Sequence, residues 1–176
     1  SAASLDLLSG GRVELGLGAG GFADAIAAMG GARLSPGQSV DALGEAIGVM
    51  RALWDTSERG GARVDGEYHR VRGAKRGPEP AHDISLWLGA YKPRMLRLVG
   101  TKGDGWLPSV PYLQSLADIA EGNERIGEAA QAAGRDPREI RRLLNVTGAF
   151  RASGGGFLQG PPEQWVEQLL PLVLEN

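Results

Sequence analysis

Val13-Glu14-Leu15-Gly16-Leu17-Gly18-Ala19-Gly20-Gly21 decides how this chain folds. Apolar side chains at 13, 15 and 17 alternate with Glu14 and Gly16, and the run then breaks into glycines. That pattern describes a buried strand running straight into an open loop. Main chain without bulky side chains at a strand end lets a phosphate or a flat ring lie against its N–H groups. Two readings compete. Gly16, Gly18 and Gly21 satisfy G-x-G-x-x-G, the turn of an NAD-binding Rossmann unit. Alternatively, the glycines form a cofactor loop at the top of a parallel barrel. The Rossmann unit needs a second strand ending in Asp or Glu about 20 residues on. Ala32 to Asp41 is no apolar strand, and Asp41 sits in a helical pattern, which favours the barrel.

Outward from this run, strands and helices alternate. Ala2 to Leu8 reads as the end of a helix capped by Gly10-Gly11, and Arg12 to Leu17 as the first strand. Ala23 to Met29 is a short helix. Ser35-Pro36 opens a long one, with Val40, Leu43, Ile47, Met50 and Leu53 at three- and four-residue steps. Residues 59–82 form a polar insertion containing a hairpin, Arg63 to Val71, with Asp65-Gly66 as its turn. Ile84 to Gly89 is a second core strand, and Pro93 starts a helix. Gly105 to Pro108 is a third strand, Leu113 to Ala133 a helix, and Arg141 to Val146 a fourth strand. Gly154 to Gly156 is a mobile loop, and Pro161 is the first position of the last helix. Such alternation implies right-handed crossovers and a parallel sheet within a single α/β domain, residues 1–176.

The chain has 176 residues, of which 42% are apolar and 23% charged, enough for a real core. A net charge of −2 gives no footprint for nucleic acid. No apolar run approaches a membrane span, and no signal-peptide pattern opens the chain. Cysteine is absent, which fits a reducing cytoplasm and removes thiolate chemistry.

Several blocks resemble the luciferase-like flavin or deazaflavin oxidoreductases. They are Leu5-Asp6-Leu7-Leu8-Ser9-Gly10-Gly11-Arg12 with the run after it, Arg51-Ala52-Leu53-Trp54, and Gly66-Glu67-Tyr68-His69. Leu88 to Leu96, Gly103 to Pro108 and Gly160-Pro161-Pro162-Glu163 continue the match in order over nearly the whole chain. Gly89 to Met95 with Asp104 to Ser109 is most similar to the branch that uses coenzyme F420. The resemblance implies a (β/α)8 TIM-barrel fold, present here as a partial barrel of about strands four to seven. It implies hydride transfer through F420, or FMN, to or from a small organic substrate. An FMN-dependent monooxygenase is the alternative within the family, and a non-catalytic half-barrel assembly module the alternative outside it. Open parallel edges call for a homo-oligomer or a missing half.

Candidate site residues lie at the carboxyl ends of the strands. Gly18, Ala19 and Gly20, with Gly21, would floor the cofactor ring, against the plainer role of a tight turn. Gly89, Ala90, Tyr91 and Lys92 lead into a helix N-terminus, which suits a phosphate. Arg94 in the first turn calls for an anion nearby. Trp106 would wall the pocket, against a plain core role. Asn145, Thr147 and Gly148 end the fourth strand, and Asp104 lies before the third as a cap or turn residue. His69 and His82 are read as exposed residues without a metal-ligand partner, and Glu14 as paired within the barrel or at its rim. No metal site is expected. No catalytic residue is named, because the family's proton-handling side chains lie on earlier strands, so the piece alone is expected to be inactive.

Overall fold

A computed structural model describes residues 1–175. In chain order its elements are α1 (Ala2–Ser9), β1 (Leu15–Leu17), α2 (Ala23–Ala28), α3 (Pro36–Trp54), β2 (Ala62–Asp65), β3 (Arg70–Ala74), β4 (Leu86–Leu88) and α4 (Pro93–Lys102). They continue with β5 (Gly105–Trp106), α5 (Ala117–Ala132), β6 (Arg141–Arg142), β7 (Ala149–Phe150), β8 (Gln159–Gly160) and α6 (Pro162–Glu175). Short 3-10 turns lie at Val110–Tyr112 and Pro137–Glu139.

The central sheet is four-stranded and parallel, in the order β1-β4-β5-β6. Alternation along each strand gives it two different faces. Leu15 and Leu17 pair with Leu86 and Leu88, and Leu88 pairs with Trp106; these point into the core against the helices. On the other face Gly16 and Gly105 flank Trp87 in register. The Trp87 ring fills the space that a side chain on Gly105 would take, whereas the space above Gly16 is open, and the Arg141 guanidinium lies 5.6 Å from the ring centre. No strand intervenes between β1 and α3, and β1 pairs directly with β4. The dinucleotide reading of Gly16, Gly18 and Gly21 is therefore set aside, since a Rossmann unit pairs its first strand with the next one after a single crossover helix.

Helix ends follow local chemistry. Ser35 accepts the N–H of Gln38 while the Gln38 side chain returns to the Ser35 amide, a complete capping box with Pro36 next to it. Gly10 closes α1 in the left-handed conformation, at φ 70°. Helix α5 starts at Ala117, later than the expected Leu113, because Asp118 takes the amides of Gln114 and Ser115 into a turn. Helix α6 likewise starts one residue after Pro161. The expected strands are longer than the regular ones, since pairing beyond their ends continues as single bonds from irregular backbone. Leu143 N–H donates to Trp106 O, and Asn145 N–H to Pro108 O. A short parallel pair, β7–β8, that the sequence pattern does not show brackets the Gly154–Gly156 loop.

The hairpin forms, but not on an Asp-Gly turn. Asp65 pairs with Arg70, leaving a loop from Gly66 to His69. The Glu45 carboxylate of α3 accepts the amides of Glu67, Tyr68 and His69 at 2.9, 2.8 and 2.9 Å. Burial alone would raise the Glu45 pKa; those amides outweigh it and hold the carboxyl below its ordinary range. A Cβ at Gly66 would lie 2.2 Å from Glu45 Oε2, so only glycine lets the loop close over the carboxylate.

Helices α4 and α5 pack closely over the sheet. A Cβ at Gly100 would lie 2.5 Å from the Ile126 carbonyl oxygen, and one at Gly122 would lie 2.3 Å from the Trp106 ring. Both substitutions to alanine overpack a contact with no slack. Gly100→Ala and Gly122→Ala are each expected to destabilise the fold by about 1–3 kcal/mol, read as a lower urea midpoint at unchanged slope.

Candidate cofactor site at the carboxyl edge of the sheet

Because all four sheet strands run parallel, the connections that follow them gather on one edge. In open parallel sheets that edge is where ligands bind. Gly89 N–H donates to Leu17 O at 3.0 Å, so the loop after β4 begins where the strip after β1 begins. Leu107 N–H donates to Leu88 O at 3.0 Å and sets the loop after β5 alongside. Gly18, Ala19 and Gly20 thus stand beside Gly89, Ala90, Tyr91 and Lys92 on one rim.

The two halves of the rim differ in character. A Cβ added at Gly18 would meet nothing within 4 Å, so the strip behind β1 is open backbone. Behind it lies an apolar hollow of about 270 Å³, lined by Ala19, Ala23, Ile26, Leu43 and Ala46 among others. Gly20 has φ 86° and turns the chain there. The Gly89–Lys92 loop is instead pinned residue by residue. Gly89 is tied to β1, and the Ala90 carbonyl accepts Trp106 Nε1 at 2.9 Å. The Tyr91 hydroxyl accepts Ser109 N–H at 2.9 Å, and the Lys92 carbonyl accepts Leu96 N–H in the first turn of α4.

What is left over in that loop matters most. The amides of Ala90, Tyr91 and Lys92 have no acceptor among the described residues; Ala90 is 1% exposed, whereas Tyr91 and Lys92 lie at the surface. Unpaired amides in buried backbone are rare and ask for a partner. The first-turn amides of Arg94 and Met95 lie beyond intrahelical reach, and Lys92 provides no side-chain cap. These donors, with the partial positive charge of the helix end, suit an anion.

The remaining sequence candidates fall as follows. Trp106 is 2% exposed and turns its ring onto Gly122, so it acts on the rim through the Ala90 carbonyl. Arg94 does meet an anion, but that anion is Asp41 of α3, at 2.5 Å. The cation in the first turn is therefore no sign of a ligand. Asn145 bridges to Ser109 at the end of β6, while Thr147 and Gly148 are exposed beyond it.

The amino edge carries the charged structural network. Asp104 accepts Leu86 N–H at 2.9 Å and Arg51 at 2.8 Å, with Arg135 at 3.6 Å. A cavity of about 520 Å³ opens there, lined by Arg51, Glu79, His82 and Asp104. His82 is not the exposed residue expected. Its Nδ1 lies 3.0 Å from Asp6 Oδ2, and its amide also donates to Asp6. Val13 N–H donates to Asp6 Oδ1, and Glu14 accepts Ser85 N–H at 2.9 Å. Asp6 is fully buried, whereas Leu5, Leu7 and Leu8 around it are exposed, the reverse of what their hydropathy suggests. Sequence gave one faint signal for the pair, an isolated acid in an apolar helix.

The family model for the luciferase-like monooxygenases matches residues 1–153. The chain belongs to the luciferase-like monooxygenase family. The F420-dependent hydroxymycolic acid dehydrogenase of Mycobacterium tuberculosis is 36% identical over 159 residues, covering 86% of this chain and 41% of that protein. The 5,10-methylenetetrahydromethanopterin reductase of Methanolobus tindarius is 34% identical over 140 residues, covering 80% of this chain and 40% of that one. The chain thus spans about two-fifths of the length of these relatives. Among solved structures, an F420-dependent secondary alcohol dehydrogenase in complex with an F420-acetone adduct shares the α/β fold. It superposes with a TM-score of 0.71 at 24% identity, over 81% of this chain and 42% of that one. No helix among the described residues is long and apolar enough to cross a membrane.

Two outcomes follow for the charged groups. Burial raises the Asp6 pKa, but the Val13 amide, the His82 ring and the His82 amide together hold it below its ordinary value. A lowered folded pKa contributes stability above the unfolded value, near 4, that is lost as pH falls through the folded one. Wild type is expected to exceed Asp6→Asn in urea-unfolding free energy above about pH 4, with the gap shrinking in more acidic buffer. The Arg94–Asp41 pair is half-exposed. Arg94→Gln should cost under about 1 kcal/mol in the same assay.

Proposed function

We propose that this chain is the cofactor-holding part of an F420-dependent oxidoreductase, passing a hydride between the cofactor and a small organic substrate. The observation that supports this is the rim. An open strip of backbone behind β1 is hydrogen-bonded, through Leu17, to a loop in which the amides of Ala90, Tyr91 and Lys92 have no acceptor among the described residues. The architecture we infer is strands four to seven of a (β/α)8 barrel, with the hairpin region as an insertion. The F420 named for the relatives favours the deazaflavin; the family's monooxygenase description supports an FMN-dependent monooxygenase as the second reading.

The residues present fit such a cofactor. Gly18, Ala19 and Gly20 form a floor with no side chain to lift a flat ring. The amides of Ala90, Tyr91 and Lys92, with those of Arg94 and Met95, would hold its phosphate, and the Lys92 ammonium adds a point charge. When bound, the cofactor supplies the ring carbon that takes or gives the hydride. The chain's own part is to bind and orient. Trp106, Ser109 and Leu17 fix the phosphate loop, so that little ordering is left for binding to accomplish. The rim strip and the phosphate loop carry no carboxylate or imidazole. The His69 imidazole lines the hollow behind the strip; we infer that the remaining proton handling falls to residues outside this chain and that it is inactive alone. The sheet ends at β1 and at β6, and we infer that both edges are covered in the working protein, by further strands of the barrel or by a second copy.

Titration with F420, FMN and NAD, followed by cofactor fluorescence, tests this reading. A saturable change with F420 is expected, whereas binding of NAD with neither F420 nor FMN overturns it. Gly18→Leu is expected to weaken the F420 response at least tenfold while the melting temperature holds, because the side chain enters the space assigned to the ring and its Cβ meets no protein atom within 4 Å.

A further inference from the structure

Tyr91 is one end of a hydrogen-bonded chain that crosses three connections of the rim. Its hydroxyl accepts Ser109 N–H at 2.9 Å, and its ring centre lies 5.6 Å from that of Tyr112. The Ser109 hydroxyl accepts Asn145 Nδ2 at 3.0 Å. The backbone of Asn145 grips the same turn: its N–H donates to Pro108 O at 2.9 Å, and its carbonyl accepts Val110 N–H at 3.0 Å. Side chain and main chain of Asn145 are thus both committed to residues 108–110, and Ser109 is committed to Tyr91.

Asn145 and Tyr112 are exposed, and Tyr91 is 37% exposed. Neutral hydrogen bonds in such places add little to stability. What they supply is geometry, since they set the loop after β4 against the end of β6. Gly89 and Ala90 are held from β1 and β5, and the Tyr91 hydroxyl supplies the tie further along the loop, toward the connection after β5.

We propose that Asn145 is a positioning residue for the Gly89–Lys92 loop, acting through Ser109 and the Tyr91 hydroxyl. This rests on reading that loop as the seat of the cofactor phosphate. The connections after β4, β5 and β6 then move as one body. A change at Asn145 alters ligand affinity without touching the ligand.

The 176-residue chain and its Asn145→Ala, Tyr91→Phe and doubly substituted variants would be titrated with F420, FMN and inorganic phosphate. Each single variant is expected to bind about five- to tenfold more weakly, the worth of one hydrogen bond. The double variant should be no worse than the weaker single, because both cut the same chain. Wild-type affinity in Asn145→Ala, or losses that simply add, overturns the relay. A second measurement needs no ligand. Asn145→Ala should speed hydrogen exchange at the Ser109 amide and shift the Tyr91 ring resonances, with the melting temperature held within about 2 °C. Unchanged exchange and ring resonances overturn the relay. If wild type binds none of the three ligands, the phosphate-seat reading falls, and the exchange experiment alone decides the relay.

Discussion

Leu15 N–H bonds to Ser85 O and Gly89 N–H to Leu17 O, and between these bonds β1 lies parallel to β4. This pairing joins segments about 70 residues apart in the chain and fixes the direction of every later strand. Once β1 and β4 run the same way, both following connections emerge on one edge. The intervening helix and hairpin must return along the outside to the opposite edge. Reversing either strand would send the glycine strip and the phosphate loop to opposite ends of the sheet.

The two edges divide the chemistry. The amino edge holds Asp6, Glu14, His82, Arg51 and Asp104, all engaged with each other or with backbone amides. The carboxyl edge has few charged side chains and a run of amides without acceptors among the described residues. Charges that are mutually satisfied stabilise a fold and offer a ligand little. Donors left without partners do the converse. The contrast explains why the larger polar cavity, at the amino edge, is the weaker candidate for binding.

How much could be read beforehand depended on the range of each interaction. Ser35-Pro36 announced α3, and Gly10 the end of α1, because caps are local. Strand order followed from alternation of elements, and the rim from strand order. Long-range pairs could not be read. Asp6 stands out as an acid in an apolar helix but does not point to His82, and Arg94 does not point to Asp41, because each partner arrives from another element. The Asp65-Gly66 dipeptide looked like a turn until Glu45, on a different helix, was seen to take the loop amides. Trp106 was ambiguous for a related reason. Alternation says that it is buried or half-buried, but only the glycine at 122 in the facing helix shows where its ring goes.

The mooring of the hairpin by Glu45 has a wider meaning. The tip is held by one carboxylate and three main-chain amides, those of residues 67, 68 and 69. The hairpin tip is therefore tethered to a helix and not to the sheet, so any shift of α3 carries residues 66–69 with it.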